Sequence, residues 1–166
     1  MKLAANLLFL AVFVSLTGCF NTRWTDEQIK SFETKCSQTD TFSNVIFLFN
    51  GFDNNEFDSV MVKEYRDTKL LDSFKVFVSP SDNPTDKERK ERSATINRKM
   101  NIKNKYLFII PGQKPYELAN MKMIMWAQFT MNAENWACVM GEYTLDGQKF
   151  EHSANPAFIK RDSIKK

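Results

Sequence analysis

Ala137-Cys138-Val139-Met140-Gly141-Glu142-Tyr143-Thr144-Leu145-Asp146-Gly147-Gln148-Lys149-Phe150 is the stretch whose reading decides the fold. Asp-Gly flanked by alternating residues is a strong signal for a two-residue hairpin turn. The spacing therefore predicts a strand from Ala137 to Leu145, folded back so that Tyr143 to Leu145 pair with Gln148 to Phe150.

Working toward the N-terminus, five more short apolar or alternating runs bounded by turn residues carry the same signature. They are Val45 to Phe49, Ser59 to Tyr65, Ser73 to Val78, Tyr106 to Ile110 and Met121 to Ala127. Pro80, Pro84, Pro111 and Pro115 fall between the runs, where a missing backbone donor does least harm. Residues 116–131 pull two ways, because Leu, Ala, Met, Glu and Lys favour helix. Alternation of Met121, Met123, Met125, Ala127 and Phe129 against Lys122, Ile124, Trp126 and Gln128 favours strand. About seven strands predict a mainly β chain, an antiparallel β-sandwich spanning 43–153, with 154–166 as a C-terminal tail.

Ahead of the strands, Trp24-Thr25-Asp26-Glu27-Gln28-Ile29 opens a short helix within 24–38. Thr25 and Gln28 have the spacing of a capping box, and Trp24 and Ile29 that of a hydrophobic staple. Ile29, Phe32 and Cys36 would share one face.

One polar stretch interrupts the pattern. Residues 79–105 hold eight basic and four acidic side chains, with Asp86-Lys87-Glu88-Arg89-Lys90-Glu91-Arg92 at the centre. It reads as a solvated charged loop with an edge strand around Ala94 to Ile102. The sharper alternative is a contact with anionic lipid headgroups.

The first 18 residues have a different character. Lys2, an apolar run from Leu7 to Leu16 and small residues at the end compose a secretory signal peptide, too short in its apolar core to span a bilayer. Leu16-Thr17-Gly18-Cys19 resembles the lipobox of bacterial lipoproteins. That resemblance implies removal of residues 1–18, a covalent lipid on Cys19, and residues 19–23 as attachment point and short tether. It also implies export across the inner membrane and anchoring in the cell envelope. Phe20-Asn21-Thr22-Arg23 lacks the aspartate that resembles an inner-membrane retention signal, so outer membrane is the expected location.

The remaining 148 residues suit one domain. They carry 22 basic and 20 acidic side chains, which argues against a nucleic-acid or other polyanion binder. With Cys19 assigned to lipid, Cys36 and Cys138 are left as a candidate disulfide in an oxidising compartment, against the alternative of two separate buried thiols.

The capped helix ending in a cysteine, Asn50-Gly51-Phe52-Asp53-Asn54-Asn55-Glu56-Phe57-Asp58-Ser59-Val60, Pro115-Tyr116-Glu117-Leu118 and Cys138 through Gly147 resemble small uncharacterised envelope lipoproteins of Bacteroidetes. The resemblance implies a transthyretin-like or immunoglobulin-like sandwich. It transfers no functional residue.

Chemistry is sparse in the sequence. Met121, Met123 and Met125 would face one side of a strand, and soft thioethers select Cu(I); methionine equally fills cores. Asp53 to Asp58 offers oxygen ligands but lacks the EF-hand's central glycine and final bidentate glutamate, so a turn is the simpler reading. The lone His152 beside Ser153 makes no dyad, since neighbours on a strand point apart. No nucleophile elbow, H-E-x-x-H or phosphate loop is present. The expectation is a non-enzymatic module with no cofactor beyond the lipid, binding an envelope protein, glycan or other component. A carrier of copper or of an apolar small ligand on the Met-rich strand is the alternative.

Overall fold

The structure, a computed structural model, describes residues 23–80, 85, 90–129, 134–153 and 155–161. Its fold is a mainly β, antiparallel sandwich preceded by a helix, as expected. The helix α1 (Asp26–Ser37) starts on a complete capping box. Thr25 Oγ1 accepts from the Gln28 N–H at 3.2 Å, and Gln28 Oε1 accepts from the Thr25 N–H at 2.9 Å. Trp24 sets its ring 5.3 Å from that of Phe32, edge to face. Of the helix's own residues only Cys36 is buried. No helix among the described residues is long and apolar enough to cross a membrane.

The strands are β1 (Thr41–Phe42), β2 (Val45–Asn50), β3 (Ser59–Arg66), β4 (Lys69–Phe77), β5 (Ser79–Pro80) and β6 (Glu91–Ile96). They continue with β7 (Met100–Asn101), β8 (Lys105–Ile109), β9 (Tyr116–Phe129), β10 (Glu134–Leu145), β11 (Gln148–Glu151) and β12 (Ala157–Ile159). One sheet has six strands in the order β11-β10-β9-β8-β3-β4, and a second has four, β12-β2-β6-β5. β1 and β7 form a two-stranded ribbon. The decisive hairpin forms in the expected register, with Tyr143 opposite Phe150, Thr144 opposite Lys149 and Leu145 opposite Gln148. Asp146 at φ 52° and Gly147 at φ 82° both take the left-handed conformation that a tight hairpin turn of this hand requires. Residues 116–129 are strand: β9 pairs with β10 from Phe129–Glu134 to Leu118–Leu145.

Three sequence expectations are corrected. The 79–105 segment is not a solvated loop throughout. Asp86 to Arg89 lies outside the described residues, but β6 runs through the second half as an interior strand, hydrogen-bonded to both β2 and β5. Its charged appearance misleads because Arg92, Ala94 and Ile96 alternate inward while Ser93 and Thr95 point out. The C-terminal residues are not a tail outside the domain: β12 pairs in parallel with β2, and Phe158 is fully buried. Three apolar residues were too short a run to read as a strand. Finally, β4 begins at Lys69 rather than Ser73, because Asp67 adopts φ 54° and turns the chain without a glycine.

The core lies between the sheets. Phe47 and Phe49 of β2 and Phe158 of β12 meet Phe108 of β8 and Tyr116 of β9, with ring centroids 4.5–6.0 Å apart. Such offset and edge-on pairs add to the burial of the rings themselves. The end of β12 is fastened from the opposite sheet: the Tyr116 hydroxyl donates to the Ile159 carbonyl at 2.7 Å, and the Arg161 guanidinium lies 3.8 Å over the Tyr116 ring while pairing with Asp146.

Candidate functional site

β9 and β10 are the long strands of the six-stranded sheet, with 14 and 12 residues. α1 packs against β9, and the Sγ atoms of Cys36 and Cys138 lie 2.04 Å apart, at bonding distance, joining the first helix to β10. The two predicted partners are thus together. Cys19 lies outside the described residues.

Where α1 hands the chain to the sandwich, a cleft of about 460 Å³ opens. Phe42, Val45, Met123, Val139, Met140 and Cys138 contribute its apolar lining. Thr39, Thr41, Ser43, Asn44, Asn97, Lys99 and Asn155 supply polar groups from three separate segments of the chain, 39–44, 97–99 and 155. Among the described residues the side chains of Asn97, Lys99 and Asn155 hold no protein partner. Of the described lining, Lys99 alone is charged, and no carboxylate or imidazole faces the space. An apolar floor with a few hydrogen-bonding groups at the rim is the usual composition of a ligand cleft of this size. Amides and hydroxyls both donate and accept, which suits a neutral ligand carrying hydroxyl or amide groups.

The methionine trio sits beside this cleft and in the core. Met121 and Met123 are buried and Met125, opposite Cys138, is half-buried. Among the described residues no group of three or more His, Cys, Asp or Glu side chains could hold a metal ion. His152 is exposed, at φ 53°, in the connection after β11.

Asp53 to Asp58 is a turn closed by Glu56 N–H to Asp53 C=O at 3.1 Å, and two of its acids, Asp53 and Glu56, are engaged by lysines. Lys90 Nζ is 2.7 Å from Asp53 and Lys160 Nζ is 2.5 Å from Glu56. The hydrogen bond from Lys160 holds the Glu56 carboxyl below its ordinary pKa, and that from Lys90 does the same for Asp53. Behind this turn Arg92 is 1% exposed, its guanidinium 4.6 Å over the Phe57 ring. Its Nη atoms reach the carbonyls of Asp53 and Val78 at 3.4 and 3.5 Å, and Nε has no partner. Burial lowers its pKa from the ordinary guanidinium value, while Asp58 and Glu56 oppose that shift.

A second buried network joins β3, β7 and β8. Tyr106 donates to Glu64 at 2.9 Å and accepts from the Asn101 N–H at 2.7 Å, and Asn104 Nδ2 also donates to Glu64. Burial drives the Tyr106 pKa well above that of a free phenol, so its proton stays in place and the network is structural.

Sequence reading missed the cleft residues. Thr41, Asn97 and Asn155 are ordinary turn and rim residues in three distant segments, and no local pattern marks their convergence. No family model, curated protein or solved structure matches this chain.

Proposed function

We propose that this protein is a lipid-anchored, non-catalytic binding module of the bacterial cell envelope, held by acyl chains on Cys19 and placed by preference on the outer membrane. The single observation that carries the binding role is the composition of the cleft at the connection that follows α1: an apolar floor, a rim of amides and hydroxyls with one ammonium, Lys99, and no carboxylate or imidazole in the described lining. General acid–base chemistry needs a positioned proton carrier, and hydrolysis of a glycosidic bond ordinarily needs two carboxylates. The residues present instead suit retention of a neutral glycan or peptide segment of an envelope component. The anchor rests on the leader and on Leu16-Thr17-Gly18-Cys19.

Two experiments test the two halves. For the anchor, Cys19→Ala should block lipidation and release the protein from membranes; processing at the same bond with full membrane retention would end this reading. For the cleft, Ser43→Trp fills the mouth from an exposed position. Pull-downs from detergent-solubilised envelopes should lose the captured component with this variant, and capture equal to wild type would remove the cleft from the proposal.

A further inference from the structure

Two aromatic pairs lie at the edge of the molecule, outside the core. Trp24, just ahead of α1, and Phe32 on it, both half-buried, pack edge to face. Phe129 and Trp136 do the same at the outer end of β9 and β10, their centroids 6.1 Å apart, with Phe129 72% exposed. The pairing places Phe129 opposite Glu134, Trp136 opposite Ala127 and Cys138 opposite Met125. Side chains alternate along a strand, so Phe129 and Trp136 share the sheet face of Cys138, the face to which α1 is bonded.

Chain lengths limit how far this face can stand from the anchor. Residues 20–23 span at most about 14 Å at 3.3–3.6 Å each. α1 has 12 residues, about 18 Å at 1.5 Å each, and its last turn is bonded to Cys138. Phe129 lies four positions beyond Met125 on β9, about 13 Å along the strand. With acyl chains on Cys19 the short tether keeps Trp24 near the bilayer surface, and the covalent path through α1 and the Cys36–Cys138 bond bounds how far Phe129 and Trp136 can lie from it.

We propose that Trp24, Phe32, Phe129 and Trp136 form a membrane-contacting surface that seats the domain on the bilayer holding its own lipid. This rests on the lipid-anchor reading. Tryptophan suits the role because its ring is apolar and its N–H is not, and the residue concentrates at membrane–water interfaces. Here the Trp136 N–H donates to Glu134 at 3.1 Å. Arg23, Lys30 and Lys35 are offset by Asp26, Glu27 and Glu33, so the contact is interfacial rather than an attraction to anionic headgroups.

The test uses the chain from Cys19 onward, which contains every described residue. With Cys36 and Cys138 bonded to each other, Cys19 is the one free thiol and couples to a maleimide phospholipid in phosphatidylcholine vesicles. Trp24→Phe with Trp126→Phe leaves Trp136 as reporter, and Trp126→Phe with Trp136→Phe leaves Trp24. Both reporters should shift to shorter wavelength and lose most of their emission when the acyl chains are brominated, with or without added phosphatidylglycerol. Phe129→Ser should reduce the loss at Trp136. Trp136 emission that is the same in brominated and plain vesicles overturns the proposal, as does quenching seen only with phosphatidylglycerol. Because the coupling is chemical, failure of the anchor reading shows separately, as an unmodified Cys19 mass in cells.

Discussion

The Phe158 ring lies 4.5 Å, centroid to centroid, from the Phe108 ring, so the last described strand reaches across the sandwich to the opposite sheet. Phe158 also contacts Phe47, Phe49 and Tyr116, which makes it the hub of the core. Phe158→Ala should cost about 3–5 kcal/mol, the range for emptying a fully buried phenylalanine site. Urea unfolding at neutral pH reads this directly. Removal of residues after 153 should be at least as damaging, whereas a loss under about 1 kcal/mol would mean that β12 is not part of the stable core.

The bridge between Cys36 and Cys138 closes a separation of 102 residues. In the chain-entropy model a loop of that size contributes about 4–5 kcal/mol. Cys36→Ala with Cys138→Ala should lower unfolding stability by an amount approaching that figure, and α1 should become more accessible to protease, since Cys36 is its single buried residue. Alkylation of unreduced, denatured protein checks the bond itself: neither Cys36 nor Cys138 should be labelled.

Arg92 carries a buried charge with weak hydrogen bonds and an unpartnered Nε. Replacing such a charge with an apolar side chain of similar length is often neutral or stabilising. Arg92→Met should therefore unfold within about 1 kcal/mol of wild type or above it. Arg92→Ala, which also strips the stem from Phe57, should lose about 2–5 kcal/mol, as other large-to-small core changes do. Urea denaturation of the pair separates the cost of the charge from the value of the packing.

Acid stability should depend on the turn at Asp53 and Glu56. Both carboxyls are held below their ordinary pKa by lysine hydrogen bonds in the folded protein. A folded pKa below the unfolded one means that the unfolded chain binds more protons, so this contribution is complete above the unfolded value and disappears as pH falls through the folded one. The urea midpoint should hold from neutral pH down to about 4.3, the usual glutamate value, and decline below it. Glu56→Gln should flatten that decline. An acid limb with the same slope in the variant would remove Glu56 as a cause.

The capping box and the Asp146-Gly147 turn were legible in the sequence because each is a local hydrogen-bond or backbone requirement, complete within four residues. Strand or helix at Met121 to Ala127 was decided by alternation, since residues two apart share a sheet face. β6 was only half legible: Ala94 and Ile96 gave an apolar trace, but Arg92 reads as solvent-exposed wherever it occurs unless the surrounding Phe57, Val78 and Asp53 are known. β12 was not legible, because three residues carry no period and its parallel pairing with β2 joins segments about a hundred residues apart.

The sequence by itself therefore determined a mainly β chain, its capped helix, its principal hairpin and the two cysteines available to bond. It did so because those features depend on neighbours along the chain. Only the tertiary structure decided that Phe158 centres the core, that Arg92 is buried and that Thr41, Asn97 and Asn155 share one cleft. Those facts depend on which distant strands pair, and that choice is made by the burial of whole sheet faces against each other rather than by any local motif.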